Sequence, residues 1–123
     1  MAGTETKVTT EQKRARLRKS YDLSARGDYE GSVQEGWADN GVFHSQMRGR
    51  EFRGKAAITD EVKKQNQEVK TTWHLYDVLV SDDHGVALLE AEQEGRRRRI
   101  VHVLHLDDTG RIQEAWAVFN PTD

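Results

Sequence analysis

From Thr71 to Phe119 the chain reads as four strands in succession, joined by turns too short to cross a sheet. Thr71–Ser81 is rich in aromatic and β-branched residues and ends at Asp82-Asp83-His84-Gly85. Val86–Glu94 follows, then a turn at Gly95, then Arg97–Leu106. A polar turn, Asp107-Asp108-Thr109-Gly110, leads to Arg111–Phe119, which closes before Pro121. Strands linked this tightly pair as antiparallel hairpins, because a parallel pair needs a crossover of about a dozen residues or more. Whatever covers such a meander has to come from the first half of the chain.

The first half supplies helices. Thr9-Thr10-Glu11-Gln12 is a helix start, with Thr9 as cap and Gln12 three residues on. That helix runs to about Arg26 and stops at Gly27, with Leu17, Tyr21, Ser24 and Ala25 on one face. Asp28 caps a shorter helix on which Tyr29, Val33 and Trp37 recur every fourth residue, although Gly31 and Gly36 weaken it. Gly41–Met47 is a strand candidate, followed by an irregular stretch from Arg48 to Gly54. From Lys55 to about Glu68 the pattern is helical again, with Ile58, Val62 and Val69 on a narrow apolar stripe.

This order predicts an α+β fold: a cone-shaped, curved antiparallel sheet with three helices from the N-terminal half on its concave side. So few strands cannot close on themselves, and the gap between sheet and helices becomes a pocket. At 123 residues there is room for one domain, expected over 9–123 behind a disordered lead-in at 1–8. A chain that is 33% charged and 35% hydrophobic gains little from burial alone, so a homodimer with one face covered by a second copy is expected. The net charge of -2 gives no general attraction to nucleic acid or to membrane phosphates. With no cysteine there is no disulfide, no thiolate nucleophile and no cysteine-ligated metal. The start lacks the apolar stretch of a signal peptide and no segment reaches transmembrane length, so a cytoplasmic location is expected.

Several pieces of the chain, in order and spacing, are shared with a known superfamily. They are Tyr21…Gly27-Asp28, Trp37-Ala38-Asp39-Asn40, Phe52-Arg53-Gly54-Lys55-Ala56-Ala57-Ile58 and Tyr76-Asp77-Val78-Leu79. The last is Val101-His102-Val103-Leu104…Gly110-Arg111-Ile112…Glu114-Ala115-Trp116. From about Leu17 to Phe119 the chain resembles the SnoaL-like polyketide cyclases and the ketosteroid isomerases, within the nuclear transport factor 2-like superfamily. The resemblance implies the same cone-shaped pocket, no cofactor, and an isomerase, aldol-type cyclase or dehydratase (lyase) of the kind found in secondary metabolism. One fold carries many chemistries, and non-catalytic ligand-binding or dimerisation modules also use this one.

His102 is the first candidate for chemistry. It alternates with Ile100 and Leu104 on one strand face, against Val101 and Val103 on the other. The resemblance places it where the ketosteroid isomerases carry an oxyanion-hole carboxylic acid. An imidazole there can protonate an enolate or act as a base near neutral pH, or it is simply a wall histidine. His74, in Thr72-Trp73-His74, is similar to the catalytic histidine of the scytalone dehydratases; the alternative is a place on the outer face. Both faces of its strand are apolar, so periodicity leaves open which one points inward. Tyr21 shares its helix face with Leu17 and either donates to a substrate oxygen or packs at the pocket mouth.

Ser45 and Ser20 fall where the isomerases carry their proton-shuttling aspartate and oxyanion-hole tyrosine, and a one-residue shift would bring Tyr21 into the latter place. The cyclases' aspartate after the last-strand tryptophan is likewise absent from Ala117-Val118-Phe119-Asn120-Pro121, so a base, if present, is a histidine. Trp37, Phe43, Ser45, Trp73, Leu89, Leu104 and Phe119 are expected to line the substrate site, with Arg98 at its rim for a carboxylate or phenolate. The other arginines of Arg96–Arg99 are expected to pair across strands with Glu90, Glu92 and Glu94. His102 and His105 face opposite sides of their strand, and no metal site is expected. The sum is a cofactor-independent enzyme performing enolate chemistry on a hydrophobic, oxygenated small molecule, with catalytic residues His102, Tyr21 and His74.

Overall fold

The first helix begins where its capping signal stands. In the computed structural model, which describes residues 8–45 and 49–119, Thr9 Oγ1 accepts from the Gln12 amide at 3.1 Å. The Gln12 side chain in turn accepts from the Thr9 amide at 2.8 Å. This reciprocal box starts α1 (Thr10–Ala25), and Gly27, at φ +88°, ends it. Asp28 caps α2 (Tyr29–Gly36) by accepting from the Gly31 amide at 2.9 Å. The third helix, α3, spans Lys55–Glu68. The expected lead-in lies, except for Val8, outside the described residues.

Six strands are described: β1 (Trp37–Ser45), β2 (Arg50–Arg53), β3 (Thr71–Ser81), β4 (His84–Gln93), β5 (Arg96–Leu106) and β6 (Ile112–Phe119). They form one sheet in the order β2-β1-β6-β5-β4-β3. The meander β3 to β6 is antiparallel throughout. The β4–β5 register sets Glu92 opposite Arg97 and Glu90 opposite Arg99, and Arg97 Nε lies 3.7 Å from Glu90 and 3.9 Å from Glu92.

The sheet is mixed, however, not wholly antiparallel. β1 runs parallel to β6. Everything from β2 to β5 lies between these two strands in sequence, long enough to bring the last strand beside the first in the same direction. β1 also begins four residues earlier than the sequence pattern suggests, at Trp37, and Met47 lies outside the described residues. β2 falls within the stretch expected to be irregular. It is an edge strand with three of its four residues exposed, so it carries none of the apolar alternation that marks a strand.

A bulge in β3 answers which face of that strand is buried. Leu75 pairs with Leu89 and Asp77 with Leu88, leaving Tyr76 as the extra residue. Trp73 and Leu75 face the helices before the bulge; Val78 and Val80 do so after it. Tyr76 and Leu79 are left exposed on the outside. The largest fully buried side chains are Leu17, Ile58, Val78, Leu104 and Leu106, between the helices and the concave face. Among the described residues no helix is long and apolar enough to cross a membrane.

Candidate active site

The concave face and the helices enclose a cavity of about 670 Å³. Its wall is mostly apolar, with Trp37, Phe43, Ile58, Leu89, Ile100 and Ala115 among its lining. Among the polar groups that line it, two are hydrogen-bonded to each other across the cavity wall. The Tyr21 hydroxyl lies 2.8 Å from His102 Nδ1, joining α1 to β5 across 81 residues of sequence. Helix pitch puts Tyr21 there: Leu17, one turn earlier, is fully buried against the sheet, so the residue four positions on meets the same face. Sheet register puts His102 there. Its cross-strand neighbours are Ala87 on β4 and Ala117 on β6, whose methyls leave room for an upright ring. Phe43 presents its edge to the imidazole at 6.2 Å between centroids.

Both rings line the cavity, and burial sets their charge. Desolvation pulls the His102 pKa from 6.5 down to about 4 and pushes the Tyr21 phenol well above its usual value. At neutral pH the pair is therefore neutral imidazole beside neutral phenol. Two tautomers satisfy the contact. Either Tyr21 donates to Nδ1 and His102 turns Nε2–H to the cavity, or Nδ1–H donates to the phenol oxygen. In the second form the tyrosine O–H is free to donate, and Nε2 offers a lone pair. Either way the apolar cavity contains a hydrogen-bond donor suited to a ligand oxygen, and in the second form a base stands next to it.

The neighbouring Ser20 is occupied elsewhere. Its hydroxyl lies 2.7 Å from the Ser32 carbonyl and 3.2 Å from the Ser32 hydroxyl, fastening α1 to α2. Tyr21, not Ser20, thus presents the α1 hydroxyl nearest the imidazole. His74 also lines the cavity, but it is exposed and sits opposite Glu90 on the strand face away from Trp73 and Leu75, and the hydrogen bond of the pair does not include it.

Trp37, Phe43, Ser45, Trp73 and Leu89 all line the cavity. Leu104 does not. It is fully buried and packs with Leu17 over Gly85, beyond the cavity wall. Arg98 shares the inward parity of His102 but sits opposite Ala91, half-buried, and is not part of the cavity wall. The Phe119 side chain lies outside the described residues.

Among the cavity residues that escape the sequence reading are Asn66 and Ala117. Asn66 Oδ1 accepts from the Trp73 indole N–H at 3.0 Å, and Asn66 donates to the Val62 carbonyl at 2.8 Å, so the end of α3 fixes the Trp73 ring. The signal was there: Asn66 continues the four-residue spacing of Ile58 and Val62, a polar residue on an apolar stripe. Ala117, between Ser45 and His102, gives no signal of its own.

A family model described as a SnoaL-like domain matches residues 17–115. Among solved structures the fold is similar to a cystatin-like protein of unknown function from Methylobium petroleophilum PM1, at TM-score 0.80 and 16% identity over 93% of this chain and 79% of that one. A candidate ketosteroid isomerase from Kribbella flavida DSM 17836 matches at TM-score 0.75 and 18% identity, over 90% of this chain and 79% of that one. A candidate polyketide cyclase from Sinorhizobium meliloti matches at TM-score 0.71 and 15% identity, over 83% of this chain and 93% of that one. No functionally curated protein matches the sequence.

Proposed function

The chain belongs to the SnoaL-like domain family, and on that premise we propose that it is a small enzyme performing enolate chemistry on an apolar, oxygenated small molecule. The observation that carries this reading is the 2.8 Å contact between Tyr21 and His102 inside an apolar cavity. In the proposed step the tyrosine O–H donates to a substrate carbonyl while His102 Nε2 takes a proton from the adjacent carbon. The electron pair of the broken C–H bond forms the carbon–carbon double bond of the enolate, and the carbonyl π pair moves onto the oxygen, held there by the phenol. Return of the proton at another carbon gives isomerisation; attack of the enolate on a second carbonyl gives cyclisation; expulsion of a β-hydroxyl gives dehydration.

The lowered pKa restricts the substrate. Forming imidazolium at this site costs about 3 kcal/mol more than in water. Only a carbon acid already activated, by an adjacent aromatic ring or a second carbonyl, suits so weak a base. The same penalty favours a second reading, in which the pair holds a ligand oxygen without turnover and the domain is a binding module.

β-Tetralone, an apolar ketone with an acidic benzylic position, separates the two. Exchange of its benzylic hydrogens for deuterium, followed by NMR, is expected to be faster with the protein than in buffer. His102→Gln is expected to lower that acceleration about 100-fold or more. Saturable binding of β-tetralone without any acceleration would leave the binding-module reading in its place. The apolar outer face of the sheet, meanwhile, suits a second copy of the chain, and we propose a homodimer formed there.

A further inference from the structure

A row of inward-facing residues crosses the sheet beside the Tyr21–His102 pair. Ser45 on β1 is in register with Ala117 on β6, and Ala117 is in register with His102 on β5. Ser45 and His102 thus stand two strand spacings apart, about 10 Å between Cα atoms. Only a methyl group lies between them on the concave face. Ser45 is 4% exposed and lines the cavity, yet among the described residues its hydroxyl makes no hydrogen bond. No buried side-chain oxygen or nitrogen among the described residues is sealed away without a partner, so this hydroxyl keeps access to open space, and Ser45 lines both the cavity and a shallower hollow beside His44 and Trp116. A hydroxyl in such a place carries a desolvation cost that a bound acceptor would offset.

We propose that Ser45 is a second polar anchor and that the cavity selects flat apolar molecules carrying two oxygen functions on opposite sides of a ring. One oxygen sits on the Tyr21–His102 pair and the other accepts from the Ser45 hydroxyl. Ala117 is the specificity determinant, because its small side chain leaves the trough in which the ring lies between the two anchors. The aromatic surfaces of Trp37 and Phe43 line the same cavity and suit a planar ring system. This assignment rests on reading the cavity as a small-molecule site, but not on whether turnover occurs there.

The test compares two probes of similar size: naphthoquinone in its para form, with carbonyls on opposite sides of one ring, and β-tetralone, with one carbonyl. Cavity tryptophans Trp37 and Trp73 provide a fluorescence signal for titration. The wild-type protein is expected to prefer the quinone, and Ser45→Ala is expected to reduce the ratio of quinone to β-tetralone affinity about fivefold. Ser45→Cys, which keeps the bulk and weakens the donor, is expected to reduce it similarly. Ala117→Val, which fills the trough, is expected to reduce it at least as much. A wild-type protein with no preference, a ratio unchanged in Ser45→Ala, or a wild-type ratio in Ser45→Cys each overturns the anchor. Deuterium exchange of β-tetralone is read separately: binding with the predicted ratios but no exchange removes the catalytic reading and leaves the anchor, and exchange with unchanged ratios does the reverse.

Discussion

His102 is held neutral by its surroundings, and that has a consequence for stability. In the unfolded chain an imidazole binds its proton below about pH 6.5; in the fold it does so only below about pH 4. Between those values the unfolded state carries more protons, so stability falls as the pH drops through that window. The loss from this one residue amounts to roughly 3 kcal/mol by pH 4 and levels off below it. His102→Gln removes the titrating group while keeping a polar side chain of similar reach. Urea titrations at pH 7 and pH 4.5 are expected to show a smaller drop for the variant than for the wild type; equal drops would mean that His102 is not desolvated. That His102 points inward was legible in the sequence, because Ile100, His102 and Leu104 alternate with Val101 and Val103. Its partner was half legible. The choice between Ser20 and Tyr21 depends on the rotation of α1 about its axis, which is set by Ser20 bonding to Ser32 on α2, a contact no local pattern contains.

At the scale of elements, α1 and α2 approach so closely that Gly36 has no room for a side chain. A Cβ there would lie 2.2 Å from Ser20 Oγ and 2.7 Å from Ser20 Cβ. In a free helix a glycine-to-alanine change gains about 1 kcal/mol. Here overpacking costs about 1–3 kcal/mol and also displaces the Ser20–Ser32 bonds, so the steric effect wins. Gly36→Ala is therefore expected to lower stability by about 1–2 kcal/mol in chemical denaturation, and a stabilised variant would show that the helices can separate at no cost. The three helices were readable because their signals are local: Thr9 and Gln12, Asp28, and the stripe of Ile58 and Val62. The features that were not readable depend on partners distant in sequence. The β3 bulge exists because of the register against β4, the parallel pairing of β1 with β6 joins the first strand of the chain to the last, and β2 is recognisable only by its pairing with β1.

On the scale of the whole molecule, β6 serves two surfaces at once. Ala115 and Ala117 face the cavity, while Trp116 and Val118 alternate with them on the outside. Trp116 is 37% exposed and Val118 46%, and they share the outer face of the sheet with Val103 at 37%, Leu79 at 53% and Tyr76 at 60%. This band, on a chain so rich in charge, is the surface on which the proposed homodimer would form. Histidine–carboxylate groups border it: His44 Nε2 lies 2.6 Å from Glu114, and His84 and His105 flank Asp83. The two-fold dimer proposed above would set this face against its own copy. The Trp116 ring stacks on His44 at 5.2 Å between centroids, which holds it flat on the surface as an anchor. Trp116→Glu places a carboxylate in the apolar band beside Glu114 and, across the two-fold axis, repeats that charge on the partner. Because the residue is already partly exposed, the fold of each subunit is expected to survive. Light scattering at micromolar concentration is expected to give twice the 14.1 kDa chain mass for the wild type and the single-chain mass for the variant. A wild-type protein of monomeric mass would refute the interface. Probe binding retained in a monomeric Trp116→Glu would show that the cavity is built entirely within one chain, since the substituted side chain lies on the opposite face of the sheet from Tyr21 and His102.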